Sequence, residues 1–255
     1  MLLVSHIQII AVSGLPIVKH GDNVAKLICD AAAKQGTPIQ KGDVIVITHV
    51  FVARAEGNTV NLDKVVPSKF AEAIAKQFDK DAALVEVVLR ESKSIVRMGD
   101  GKLITESKHG FICANSGVDR SNMPGERNVV LLPENPDASA EIIRKEIKEL
   151  TGRSVAVIVS DTNGRPFREG EINVAIGVAG LKPIRDRRGE KDLFGYVLRV
   201  KRTAIADELA SAAELVIGQA DEGIPVAIIR GYKFPKSRTA RATELIRQRD
   251  KDLFI

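Results

Sequence analysis

The stretch VSDTNGRPFREGEINVAIG, Val159 to Gly177, puts an unusual set of groups side by side directly after an apolar run, Val155–Val159. Asp161 is a carboxylate at the mouth of what reads as a buried strand, a common way to hold Mg²⁺ against a nucleotide. Thr162 adds a hydroxyl and Asn163 an amide. Gly164 permits a tight turn, and Arg165 and Arg168 bring charge suited to phosphate or carboxylate. The plainer alternative is an Asx-turn, with Asp161 bonded to its own loop and the arginines in water. This segment alone leans slightly to the turn.

A second loop, NSGVDRSNMPGE (Asn115–Glu126), carries Asp119 as another hard oxygen donor and Asn122 as a phosphate or ribose donor. Two loop carboxylates with amides nearby suit a metal–phosphate site without soft ligands, although Asn, Ser, Gly and Asp are also what any turn uses. Other chemistries lack support. GDGKL (Gly99–Leu103) has neither the first glycine nor the hydroxyl of a phosphate-binding P-loop, and no GxGxxG follows a strand. His6, His20, His49 and His109 are scattered, which leaves a zinc protease or a Ser-His-Asp triad without a basis. His49, inside an apolar run, reads as a core or site-wall residue.

These groups must be positioned by interleaved strands and helices, hence an α/β (α+β) protein. His6–Val12 reads as a strand ending at SGLP. A helix follows Gly21, capped by Asp22 and stopped by Gly36. Asp43–Val52 reads as a buried strand, and ARAEGN leaves it. Pro67–Lys93 holds two helical segments meeting near Asp79–Asp81. KLITESKHGFICAN reads as paired strands, NVVLLP as a short strand, and Asp137 or Ser139 as the cap of a helix closed by Gly152. SVAVIVS is a buried strand, with SDTNGR as the loop after it. Thr203–Ile217 is helical, IPVAIIRG is the last strand, and TARATELIRQRDKDLFI reads as a charged terminal helix. Five segments rich in polar residues and glycine lie at element ends, where α/β proteins place ligands.

The chain has 255 residues, a 44% hydrophobic fraction and a formal net charge of +5. That length supports a sizeable core and two lobes: 1–93 with 203–255 as the first, 94–202 as the second. No apolar stretch approaches the roughly 20 residues that cross a bilayer, and MLLVSHIQIIAV lacks a basic flank and a cleavage site. The isolated Cys29 and Cys113 fit a reducing cytoplasm and argue against structural zinc. The positive charge favours an anionic small ligand. Nucleic acid is the weaker alternative, because the basic residues are spread out and no aromatic-interleaved segment appears.

Taken together, GLPIV, RAEGN, NSGVDRSN, SDTNGRPFREG and GQADEGIP resemble, in order and over nearly the whole chain, the F-420-0:gamma-glutamyl ligase family of coenzyme F-420 biosynthesis. The resemblance implies two lobes of mixed sheets flanked by helices, an intertwined homodimer, and a cytoplasmic ligase. It implies GTP and two divalent ions, Mg²⁺ or Mn²⁺, with K⁺ as a further candidate. L-glutamate would be joined to the lactyl carboxylate of F-420-0, and a second glutamate then added through a gamma linkage. By motif, Asp119 and Asp161 would share one ion, and Thr162 and Gln219 would serve the other. Gly14, Leu15, Pro16, Ile17, His49, Val50, Arg54, Asn122, Ile217, Gly218, Gln219, Ala220, Asp221 and Glu222 would meet GTP. No side-chain nucleophile is required; Arg165 and Arg168 would contact substrate or phosphate. The family has Ser-Lys before its Ala-Glu-Gly, where this chain has Ala53-Arg54, a fork in place of a point charge. Read without the resemblance, the residues leave as alternatives another metal-dependent, nucleotide-using amide ligase or a non-enzymatic nucleotide- or RNA-binding protein.

Overall fold

The computed structural model describes residues 6–253. The elements in chain order are β1 (Gln8–Ala11), α1 (Val24–Lys34), β2 (Val44–Thr48), α2 (His49–Glu56), β3 (Thr59–Asn61), α3 (Lys69–Phe78), α4 (Ala82–Arg90), β4 (Ser92–Gly99), β5 (Lys102–Ser107), β6 (Ile112–Ala114), β7 (Asn128–Val130), α5 (Pro136–Thr151), β8 (Ala156–Arg165), β9 (Arg168–Ala179), β10 (Arg185–Asp186), β11 (Arg202–Thr203), α6 (Ile205–Ile217) and β12 (Val226–Arg230). This is the mixed α+β protein that the interleaved pattern implies.

The principal sheet runs β1-β12-β2-β8-β9. β12 is antiparallel to both β1 and β2, and β2 is parallel to β8, so β1, β2 and β8 point the same way. Alternation along the strands splits the core. Ile45, Ile47, Val157, Val159, Val226 and Ile228 face Ile28 of α1, Phe51 and Val52 of α2 and Ile143 and Ile147 of α5. Val44, Val46, Ala156, Ile158, Ala227 and Ile229 face Ala206, Leu209, Ala210, Ala213 and Ile217 of α6. A third apolar cluster lies apart, where α3 and α4 pack with Leu62, Leu103, Val118 and Val129. β4-β5-β6 form their own sheet and β3-β7 another.

Caps explain most of the helix boundaries. Asn23, one residue after Asp22, caps α1 by accepting from Lys26 N at 2.7 Å. Asn135 caps α5, with Pro136 in the first turn, in place of Asp137 or Ser139. The Asp137 carboxylate instead receives Val178 N and Ala242 N. Gly177 in β9 has no room for a side chain, because a Cβ there would sit 2.4 Å from the Pro136 carbonyl oxygen.

β9 is an edge strand, and helices close that edge. Asp207 accepts from Ala175 N at 2.9 Å, Glu214 accepts from Asn173 N at 2.8 Å, and Ser211 Oγ donates to the Asn173 carbonyl at 2.8 Å. The spacing i, i+4, i+7 places all three side chains along one stripe of α6.

Besides the two caps, three sequence expectations need correction. Asp43–Val52 is not one strand: β2 ends at Thr48 and His49 opens α2. SDTNGR is not a loop but the outer half of β8, paired with β9 as far as Arg165↔Arg168. The tail is not a continuous helix. Short 3₁₀ turns at Ala242–Leu245 and Arg249–Lys251 are its only regular structure among the described residues.

Candidate active site

The parallel register Thr48↔Ser160 fixes where the chemistry gathers. The next residues, His49 and Asp161, emerge side by side at the carboxyl end of the sheet, and His49 Nε2 lies 3.2 Å from Asp161 Oδ1. β1 leaves at the same end, where Val12 N bonds Val226 O, and leads into Gly14–Ile17. The segment Gly218–Pro225 arrives at that end, where Thr48 N bonds Pro225 O. Ligands in open α/β sheets bind outside such carboxyl ends.

His49 is buried. Burial disfavours its charged ring, but the charge and hydrogen bond of Asp161, together with the charge of Asp119, outweigh this and raise its pKa. Both carboxylates thus act on one imidazole, although they lie 42 positions apart in the chain by number (161 − 119). His49 Nδ1 has no hydrogen-bond partner. Asp161 Oδ1 also accepts from Thr162 N at 2.8 Å. Both of these contacts use one oxygen of the carboxylate.

Asp119 sits in a loop braced from beneath. Ser116, buried with φ +53°, has its hydroxyl 2.7 Å from those of Ser92 and Thr105. Asp119 accepts from Ser121 N and Ser121 Oγ at 2.7 and 2.6 Å. Asn122 follows at φ +53°, and its carbonyl receives Arg54 NH1 at 3.1 Å, which ties α2 to this loop.

Thr162 Oγ1 lies 3.1 Å from both Asn173 Oδ1 and Gln219 Oε1. A hydroxyl carries one proton, so it cannot satisfy both acceptors. Gln219 Nε2 donates to Glu214 Oε1 at 2.5 Å, which turns the amide oxygen towards Thr162. Glu222 folds back on its own turn and accepts from Ala220 N at 2.8 Å. Those backbone N–H groups hold its carboxyl below the usual range.

The oxygen-rich composition suits Mg²⁺ or Mn²⁺. Among the described residues, no three His, Cys, Asp or Glu side chains form a metal-holding group. Cys113 does not offer a thiolate, since burial and then the charge of Asp161 push its thiol up to about 12. The side chain of Thr48, which caps α2, makes no capping hydrogen bond, so it does not occupy the first-turn N–H groups, which suit an anion.

The arginines of the opening motif lie further out. Arg165 NH2 donates to the carbonyls of Glu169 and Gly170, and Arg165 and Arg168 pair at the hairpin tip. Gly14 has φ +74°, and Pro16 and Ile17 are exposed beyond it. Sequence reasoning missed Glu214 and Asn173, because a helical acid and a strand amide look like surface and turn residues until β9 is recognised. It read His49 as a core or site-wall residue and, by resemblance, as a nucleotide contact; the ring is buried as expected, and its contact with Asp161 was not anticipated.

Comparison with known proteins gives the family. Residues 14–231 match the family model for F420-0:Gamma-glutamyl ligase. The chain belongs to that family. It is 49% identical over 249 residues to the coenzyme F420:L-glutamate ligase of Methanothermobacter thermautotrophicus, covering 97% of this chain and 98% of that protein. It is 50% identical over 242 residues to the protein so named from Methanocaldococcus jannaschii, covering 94% of each. The Archaeoglobus fulgidus protein of that name is 40% identical over 225 residues, 88% of each. Family membership makes the chain a ligase of F-420 biosynthesis. Among the described residues, no helix is long and apolar enough to cross a membrane.

Proposed function

We propose that this chain is a GTP- and divalent-metal-dependent ligase that joins L-glutamate to the lactyl carboxylate of F-420-0 and then adds a second glutamate through a gamma linkage. The observation that carries the reading is the cluster at one sheet end. Asp161 and Asp119 both bear on buried His49, and the Thr162–Gln219 oxygens stand beside Asp161 in the chain or through a hydrogen bond. The names of the relatives support the substrates.

A carboxylate does not condense with an amine in water, because hydroxide is a poor leaving group. Transfer of the γ-phosphoryl group from GTP gives an acyl phosphate and GDP. The glutamate amine then attacks the acyl carbon, and phosphate leaves. The start of α2 at His49 and Val50, together with Arg54, binds the nucleotide phosphates, while Gly14–Ile17, Asn122 and Ile217–Glu222 line the rest of the nucleotide. Asp119 and Asp161 would hold one divalent ion, and Thr162 and Gln219 a second, with K⁺ as a further candidate. The ions, when bound, offset charge on the transferring phosphoryl group. Arg165 and Arg168 hold an acidic substrate against the hairpin. His49 orients Asp161.

The protein works as a cytoplasmic homodimer. The arm between β10 and β11 supports a dimer, because its tip is hydrogen-bonded to itself yet exposes apolar side chains. Asp192 Oδ1 accepts from Phe194 N and Tyr196 N, while Leu193 is 99% and Phe194 96% exposed. The test of activity is mass spectrometry of F-420-0 incubated with GTP, Mg²⁺ and L-glutamate. The expected products carry one and two added glutamates, with GDP released. No mass increase and no GDP, with RNA affinity that falls steeply with salt, would replace this reading with nucleic-acid binding.

A further inference from the structure

Glu214 lies on α6, outside every segment that singled out the site. It holds two different things at once. Oε2 accepts the backbone N–H of Asn173 in β9, and Oε1 accepts the side-chain amide N–H of Gln219. Gln219 alone could turn its amide either way. Because Glu214 can only accept when ionised, it takes the NH₂ end and leaves Oε1 facing Thr162 Oγ1 at 3.1 Å. Asn173, fixed by Glu214 at its N–H and by Ser211 at its carbonyl, presents Oδ1 to the same hydroxyl. A single helical carboxylate therefore sets the direction of the Gln219 oxygen that faces Thr162.

We infer that Glu214 is a positioning residue that orients the Gln219 amide so that its oxygen, and not its nitrogen, meets the cation. This rests on the reading of Gln219 and Thr162 as metal-binding groups. In Glu214→Gln only one oxygen acceptor remains. If it keeps the Asn173 N–H, its own NH₂ meets Gln219, and the Gln219 amide turns round. The NH₂ of Gln219 then points at Thr162, where it cannot ligate. Partners of this kind, one step behind the ligands, typically alter metal affinity about 10–100-fold.

The experiment is Mn²⁺ titration of the full-length protein followed by electron paramagnetic resonance, with GDP present, for Glu214→Gln, Gln219→Ala, the two combined, and Ser211→Ala. The expected result is roughly tenfold or greater weakening at one site in each of the first two. The combination should be no weaker than Gln219→Ala alone, because Glu214 acts through Gln219. Ser211→Ala removes another α6–β9 hydrogen bond without touching Gln219, and should bind Mn²⁺ as the parent does. The exchange Glu214→Gln with Gln219→Glu keeps the pair's charge and returns an oxygen to Thr162, so it should restore binding. Unchanged Mn²⁺ binding in Gln219→Ala would overturn the metal assignment, and this inference with it. Weakening in Gln219→Ala but not in Glu214→Gln would overturn the inference alone. So would additive losses in the combination, which would mean that Glu214 acts only by its charge, or equal weakening in Ser211→Ala, which would mean a loosened strand edge.

Discussion

Asp161 hydrogen-bonds the His49 imidazole and Asp119 acts on it through its charge, and the two carboxylates are held differently. Asp161 has its two hydrogen bonds on Oδ1, whereas both oxygens of Asp119 are taken by Ser121. Each carboxylate keeps further lone pairs, so either residue can ligate an ion without giving up these contacts. Asp161→Asn keeps the shape and removes one ligand charge. Groups that stabilise developing charge are worth roughly 10²–10³ in kcat, and a loss of at least that order is expected here and in Asp119→Asn. The double variant should be little worse than either single, since the two act as a unit, and Mn²⁺ binding with GDP should weaken in each. Arg54→Ala should raise the KM for GTP, while Arg54→Lys should keep substantial activity; steady-state kinetics against GTP checks both. The residue types at this site were legible in the sequence, since Asp119, Asp161, Thr162 and Gln219 all stood out by composition or resemblance. Their partners were not, because Glu214 and Asn173 declare themselves only through the pairing of β9 with β8 and α6.

At the level of elements, the meeting of α6 and β9 carries two expectations. Burial pushes the Asp207 carboxyl above the usual aspartate range, and the hydrogen bond from Ala175 N only partly opposes it. Such a group binds its proton more tightly in the folded state. Its stabilising contribution is full below the ordinary aspartate pKa and is lost as pH rises through the raised value. Asp207→Asn keeps an acceptor for Ala175 N and carries no charge. It should melt higher than the parent at neutral pH, with the gap closing as the pH falls to about 4. The second expectation concerns Gly177. Gly177→Ala forces a methyl into the Pro136 carbonyl and should cost about 3 kcal/mol or more, read by denaturant melts. The errors of sequence reading at this scale share a cause. An apolar run such as Val44–Val52 serves a buried strand or a buried helix equally, so periodicity could not end β2 at Thr48. Polar SDTNGR looked like a loop because β8 leaves the core while still paired to β9. The tail had helical propensity but buries little beyond Ala242, and propensity without a packed face does not hold a helix.

For the whole molecule, the arm between β10 and β11 is where the proposed dimer is tested. Leu193, Phe194 and Val200 are almost fully exposed on a hairpin held rigid by Asp192. Phe194→Asp with Leu193→Asp should shift the protein from dimer to monomer in analytical ultracentrifugation at micromolar concentration, with little change in far-ultraviolet circular dichroism. A parent chain that sediments only as a monomer would remove the proposed dimer.

The order of the principal sheet has a consequence for synthesis. β1 and β2 do not touch; β12 lies between them, and it spans Val226–Arg230 near the end of the chain. While the chain emerges from the ribosome, β1 has no partner and β2 has only one until Val226–Arg230 are made. A nascent chain halted before Val226 therefore exposes two unpaired, apolar strand edges, the kind that templates aggregation. Completion of the sheet is a long-range event, and the sheet end that holds His49 and Asp161 is not framed until residues 226–230 have been made.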